Sequence, residues 1–206
     1  MKLKTFSLVL LLMLSYTLVA QEKQELKRSI GFTFSAIGSN DVTNSEGASL
    51  LGGESYSGKR FFTLGVSYVH PILSWIAIES GIEYSKHTIT VEPMKMPNFP
   101  YTAPYDKSVS LINIPITARV SFLKYFFING GLILDLEAAN SSPIESQTGV
   151  GTLLGIGAKY SLSNGFGAFV NGYYKAHTLV PFSANNDDYR WRLIEGGLRI
   201  GVTYSF

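Results

Sequence analysis

From residue 26 onward the chain alternates apolar and polar positions with a period of two, the signature of strands with two unlike faces. Eight runs carry it, over 28–37, 59–70, 75–89, 108–122, 125–137, 150–162, 166–179 and 191–206. In the last, Ile194, Leu198, Ile200, Val202, Tyr204 and Phe206 share one face, against Glu195, Gly197, Arg199, Gly201, Thr203 and Ser205 on the other. The fourth sets Ile112, Ile114, Ile116, Ala118, Val120 and Phe122 against Asn113, Thr117, Arg119 and Ser121. The third and fifth repeat the pattern around Glu79, Gly81 and Glu83, and around Asn129, Gly131, Asp135 and Glu137. The seventh is mixed, since Phe169 and Tyr173 fall with Asn171 and Lys175. Such runs exceed the usual strand of about five or six residues and cover the roughly 9–11 that a tilted strand needs to cross a bilayer.

The intervals between runs alternate long and short without exception. The short ones are tight turns at Pro71–Ser74, Leu123-Lys124 and Ser163–Gly165, and the long ones are rich in Gly, Asn, Ser and Pro. Antiparallel neighbours joined in this way put every tight turn at one end and every long loop at the other, as in membrane barrels with short inner turns and long outer loops. Aromatic residues gather at both ends. Tyr68, Trp75, Phe122, Tyr125, Phe126, Tyr160, Phe166, Tyr204 and Phe206 lie toward the turns, and Tyr84, Tyr174, Tyr189 and Trp191 lie toward the loops. These features predict an all-β fold, an eight-stranded antiparallel transmembrane barrel with short periplasmic turns and long extracellular loops.

Composition sharpens the picture. Charged residues make up only 16% of the 206, while Gly (20), Phe (13) and Tyr (12) are plentiful, which excludes a disordered chain. The net charge of +2 comes entirely from Lys2 and Lys4; the remainder is neutral, and no basic face for a nucleic acid is present. Met1–Lys4 followed by the apolar stretch Phe6–Val19 reads as a signal peptide over 1–20, cleaved between Ala20 and Gln21, with the barrel domain at 21–206. There is no cysteine, hence no disulfide, no thiolate metal ligand and no lipidated N-terminus. Export to a Gram-negative outer membrane is the expected destination. The final strand, ending on Tyr204 and Phe206, resembles the C-terminal signal by which outer-membrane barrels are recognised for insertion.

On the polar face stand Glu79, Glu83, Arg119, Asp135, Glu137, Lys159, Lys175, Glu195 and Arg199, five acids and four bases. Side chains nearly fill the interior of an eight-stranded barrel, so these are expected to form a paired lumen network. Gly81, Gly131, Gly155, Gly157, Gly197 and Gly201 on the same face would make room for the long ones. Pro115 breaks the pattern of the fourth run, because it cannot donate to a ladder, and is expected to mark a bulge. The surrounding Leu111-Ile-Asn-Ile-Pro115-Ile-Thr-Ala-Arg-Val resembles the Ile-Pro strand of Bacteroidota outer-membrane β-barrel proteins, the PorT-like, OmpX-sized porin family. Tyr125–Gly131 and Gly155–Tyr160 are similar to its next two strands. The resemblance implies an eight-stranded barrel and carries no functional residue with it.

Three histidines invite chemistry. His70 is placed at the turn end, and His87 and His177 at the outer rim, where Asp187 or Asp188 could orient His177 as a base. Nothing has metal-ligand spacing, Asn185–Asp188 lacks the rest of a calcium loop, and Gly155-x-Gly157 lies inside a strand with no helix after it. No catalytic, metal or cofactor-binding residue is therefore assigned. The expected role is that of a non-enzymatic barrel acting through its extracellular loops or an envelope protein partner, in adhesion, envelope integrity or as a secretion or assembly accessory. Membrane lipid and the barrel-insertion machinery are its other expected partners. A narrow channel and a rim-active lipid-modifying enzyme or protease are the alternatives.

Overall fold

A computed structural model describes residues 26–44, 54–94, 102–139, 142–183 and 190–206. Eight antiparallel strands follow one another and close on themselves: β1 (Ser29–Asn44), β2 (Ser55–Pro71), β3 (Ile76–Glu92), β4 (Tyr105–Phe122), β5 (Phe126–Glu137), β6 (Gly149–Ser161), β7 (Phe166–Pro181) and β8 (Trp191–Ser205). Every strand pairs with its sequence neighbour, and β1 pairs with β8, so the ring has no open edge at its waist. The periodicity had placed all eight; β1 to β4 run further at the loop end than it suggested. The signal segment, its Ala20–Gln21 junction, Asn185, Asp187, Asp188 and Tyr189 lie outside the described residues.

The pleat turns one apolar face outward. Phe32 on β1, Leu64 on β2, Ile82 on β3, Ile116 on β4, Leu132 on β5, Ile156 on β6, Val170 on β7 and Val202 on β8 are all exposed, with Phe32 at 67% and Leu132 at 60%. A belt of this kind around a whole molecule far exceeds the apolar patch that a water-soluble protein leaves bare. It is the lipid-facing band of a barrel that crosses a membrane, and ring pairs border it. Phe122 with Phe126, Tyr125 with Tyr160 and Phe166 with Tyr204 stand at the turn end, and Phe62 with Tyr84 at the loop end. On β3 the stretch from Ile76 to Tyr84 matches the length a tilted spanning strand requires.

Above Tyr84 the polarity of the wall inverts. Lys86, Thr90 and Glu92 now face outward, and Ile89 and Val91 face inward, both buried. Beside them on β4, Val109 and Leu111 are buried while Asp106 is exposed. Val42, Ile89, Val109, Leu111 and Leu193 form a small apolar core inside the outer end, and Ile144 from the β5–β6 loop drops into it. Trp191 packs on this core and meets Tyr56 edge to face with centroids 5.1 Å apart. It is thus not part of the outer lipid-facing girdle expected from its position: water, not lipid, lies beside the wall at that height, and the apolar side chains turn inward.

Pro115 does not sit in a bulge. Its pairing with Ile133 of β5 keeps the strand's register, and the pairing with β3 simply lapses opposite Gly81 and Ile82 before resuming in the same register. The missing N–H is thereby accommodated without an extra residue. The register shifts fall elsewhere, at Ser35/Ile37 in β1, Gly58/Arg60 in β2 and Val150/Thr152 in β6.

Candidate functional site

The lumen below the apolar core is filled by charge. Arg119 of β4 donates through Nε to Glu79 Oε2 (3.0 Å), with Nη2 2.8 Å from the same oxygen. Arg199 of β8 reaches Glu79 Oε1 through Nη2 (3.0 Å) and Glu83 Oε1 through Nη1 (3.2 Å). Lys175 of β7 donates to Glu83 Oε2 (2.8 Å) and lies 3.7 Å from Glu195 Oε1. The result is one ladder of alternating sign, Arg119–Glu79–Arg199–Glu83–Lys175–Glu195, climbing the lumen between β3, β4, β7 and β8. All six are buried, so each charge depends on its neighbour for the solvation that water would have supplied.

The other three predicted members of the network stand apart from this ladder. Lys159, near the turn end, donates to Ser121 Oγ (3.0 Å). Glu137 accepts from the backbone N–H of Gln147 (3.1 Å) and so holds the β5–β6 loop rather than a base. Asp135 is buried with no Lys or Arg partner among the described residues; its Oδ1 accepts from Asn113 Nδ2 (2.7 Å) and meets His177 Nδ1 (3.0 Å), and its Oδ2 accepts from the N–H of Thr178 (3.0 Å). Several glycines of the polar face serve rings more directly than charges. A Cβ at Gly201 would stand 2.4 Å from Phe169 and one at Gly157 2.5 Å from Phe127. These two rings flank Arg119, whose guanidinium carbon is 4.2 Å from the Phe127 centroid and 5.4 Å from that of Phe169.

The mixed face of the seventh run is resolved: Phe169, Asn171, Tyr173, Lys175 and His177 all point into the lumen. This overturns the expectation that His87 and His177 stand at the outer rim. Both are fully buried, beneath the apolar core, and their rings meet edge to face at 5.6 Å. A rim base would have to stand exposed at the outer end, and His177 does not; Asp187 and Asp188, its expected partners, lie outside the described residues. Sequence reasoning missed this pair because β3 and β7 lie far apart along the chain and face each other only across the closed ring. His70 stays where it was placed, exposed at the turn end beside Tyr68.

At the turn end the lumen opens into a cavity of about 620 Å³, lined by Lys27, Lys124, Lys159 and Arg119 among others. At the loop end the β5–β6 segment folds over the opening. Buried Gln147 donates to the carbonyl of Trp191 (3.0 Å) and accepts from the N–H of Leu193 (3.3 Å), pinning the segment to β8.

No protein-family model matches the chain, and no curated protein matches it. Among solved structures it is similar to the outer membrane protein AlkL, determined in DMPC lipid bilayers, with 15% identity, 91% of this chain and 93% of that one covered, and a TM-score of 0.47. It is also similar to the outer membrane protein OprG from Pseudomonas aeruginosa, with 17% identity over 90% of this chain and 99% of that one and a TM-score of 0.46. A third likeness is to the translocator domain of the autotransporter NalP from Neisseria meningitidis, with 12% identity over 93% of this chain and 92% of that one and a TM-score of 0.35. At these identities the likeness concerns the barrel fold alone.

Proposed function

We propose that this chain is a non-enzymatic outer-membrane barrel with a closed lumen, which works at its outer surface by adhesion or by assembly with another envelope component. The observation that carries this reading is the filling of the interior: an ion ladder from Arg119 to Glu195, then an apolar core capped by Ile144 and Gln147, all buried. A solute would have to break both layers to pass. What remains available is the outer end. There β4 stands above β5, because its pairing with β5 begins only at Leu111 and one further bond joins the Ala138 N–H to the Ser110 carbonyl. Among the described residues, Tyr105–Val109 thus offer a strand edge without a β5 partner, the kind of edge to which an extended segment of another protein can add. Lys59, bonded to Asp106 at 2.6 Å, decorates the same lip. The Ile-Pro strand makes the Bacteroidota barrel proteins the proposed kin, and a mature chain starting at Gln21 the proposed product of export.

The test has two parts. Protein refolded from its 21–206 form and placed in planar bilayers is expected to show no steady conductance; nanosiemens steps from the monomer would overturn the closed-lumen reading. Photo-crosslinkers at Lys107 on the lip and at Lys124 in a periplasmic turn should then give an envelope-protein adduct from the first position only. Adducts from the turn alone would place the working surface at the other end.

One observation favours a narrow channel as the second reading. The turn-end cavity is lined by four cationic side chains and so is suited to anions. The same bilayer recordings decide it, since such a channel would conduct and would be anion-selective.

A further inference from the structure

Three side chains converge where the ion ladder meets the apolar core. His87 Nε2 lies 3.4 Å from Glu195 Oε2, and His177 Nε2 lies 3.7 Å from the same oxygen. All three residues are fully buried. His87 Nε2, His177 Nε2 and Glu195 Oε2 each lack a hydrogen-bond partner, although a buried polar atom left unpaired is costly. For His177 and Glu195 the other polar atom is engaged in the way that fixes a metal ligand, while His87 Nδ1 has no hydrogen-bond partner among the described residues. His177 Nδ1 faces Asp135 Oδ1 at 3.0 Å, which puts the ring proton on Nδ1 and leaves a lone pair on Nε2. A carboxylate behind a ligating histidine is the usual orienting partner at such centres. Glu195 Oε1 accepts from the Tyr173 hydroxyl, itself held by Ser35 Oγ at 2.8 Å, so Oε2 is the free oxygen. The His87 ring is stacked on Phe61, which limits its rotation.

The spacing fits as well. Donor atoms about 2.0–2.1 Å from a tetrahedral ion stand roughly 3.3–3.4 Å from one another; the two histidine–carboxylate separations lie close to this, and all three donors fall within 4.8 Å of one another. Charge agrees in sign: among the described residues four buried carboxylates, Glu79, Glu83, Asp135 and Glu195, face three buried Arg and Lys side chains, Arg119, Lys175 and Arg199, besides the two histidines. Two imidazoles and one carboxylate form a set suited to zinc and its neighbours in the first transition row.

We propose that His87, His177 and Glu195 bind one divalent transition-metal ion of the zinc class inside the lumen, as a structural tie joining β3 to β7 and β8. The apolar core covers the site from outside and the ion ladder from below, so the ion enters as the barrel forms and is retained once it has closed. Asp135 and Tyr173 act as positioning residues for two of the ligands.

Untagged chain is refolded in detergent with Zn²⁺, freed of loose ion by chelating resin, and analysed for metal by mass spectrometry; its heat-modifiable gel shift reports that the barrel has closed. About one zinc per folded chain is expected, with a water as fourth ligand beside the three side chains, and replacement by Co²⁺ should give the visible absorption of a tetrahedral cobalt centre. His87→Ala and Glu195→Gln should each release the metal, whereas His70→Ala, at the exposed turn end, should retain it. Folded wild-type chain holding less than about a tenth of an equivalent would overturn the proposal; the orphaned atoms would then be satisfied by a proton shared between His177 and Glu195. Metal lost with His70→Ala, or kept by both lumen variants, would overturn it too. Should the lumen variants fail to close, the wild-type stoichiometry and the cobalt spectrum still decide.

Discussion

Arg199 is the residue on which the lumen turns. It bridges Glu79 and Glu83 with separate nitrogens, so removing it takes one of two cationic partners from each of two buried carboxylates at once. Breaking a buried pair from one side costs about 3–5 kcal/mol, whereas replacing both partners with apolar or neutral groups of similar shape can be close to neutral. Arg199→Met is therefore expected to lower stability by about 3–5 kcal/mol, read from urea unfolding in detergent micelles by the gel shift. Glu83→Gln combined with Lys175→Met should cost less than Lys175→Met alone, because the double change leaves no full charge of that pair behind. Crowding makes a second demand. Gly201 faces the edge of Phe169, and the Cβ of any other residue would fall inside that ring's van der Waals envelope. Gly201→Val should destabilise by about 1–3 kcal/mol through overpacking in the same unfolding assay. The charged members of the ladder were legible in the sequence because alternation fixes which face a residue takes. The histidines were not, since nothing local says that two strands meet across a ring.

At the level of the strand, the informative feature is a change of phase. On β3 the apolar residues sit at even positions through Ile76, Ile78, Ile82 and Tyr84, and at odd positions from His87 through Ile89 and Val91, yet the pairing with β4 runs in one register. On β4 the switch occurs between Leu111 and Ile112. Each strand therefore carries a mark of the height at which lipid gives way to water. That mark was present in the sequence but not read, because a run was treated as having one apolar face throughout. Pro115 shows the reverse error: local chemistry suggested a bulge, and a lapse in a single ladder absorbed the missing donor instead. The height of a position should govern the cost of a charge placed on the outer wall. Leu132→Arg, in mid-belt, is expected to cost about 2–4 kcal/mol, whereas Thr90→Arg, above the girdle, should change stability by less than about 1 kcal/mol in the same lipid.

For the whole molecule these local marks define a membrane position that can be tested directly. The lower rings stand at Phe122, Tyr125, Tyr160 and Tyr204, and the upper ones at Phe62 and Tyr84. Between them the outward residues of the mid-belt are apolar apart from Ser80, opposite Ile116, and Thr152, opposite Leu132, and beyond Tyr84 the barrel is organised like a small water-soluble one, with its own core around Leu111 and Leu193. Because the sequence has no cysteine, single substitutions report depth without background. In refolded proteoliposomes, cysteine in place of Leu132, Ile156 or Val202 should resist a membrane-impermeant maleimide, while cysteine in place of Thr90 or Asp106 should react quickly. Cysteine at Lys124, in a turn, should react only in the molecules whose turns face the bulk, and the fraction labelled there gives the orientation of insertion. Uniform reactivity across the belt would mean that the exposed apolar face meets water, and the membrane assignment would fall. Reactivity that stops abruptly between Lys86 and Tyr84 would locate the outer interface at the strand position where the polarity of the wall inverts, and would assign the core above it to the part of the barrel that a partner outside the membrane can reach.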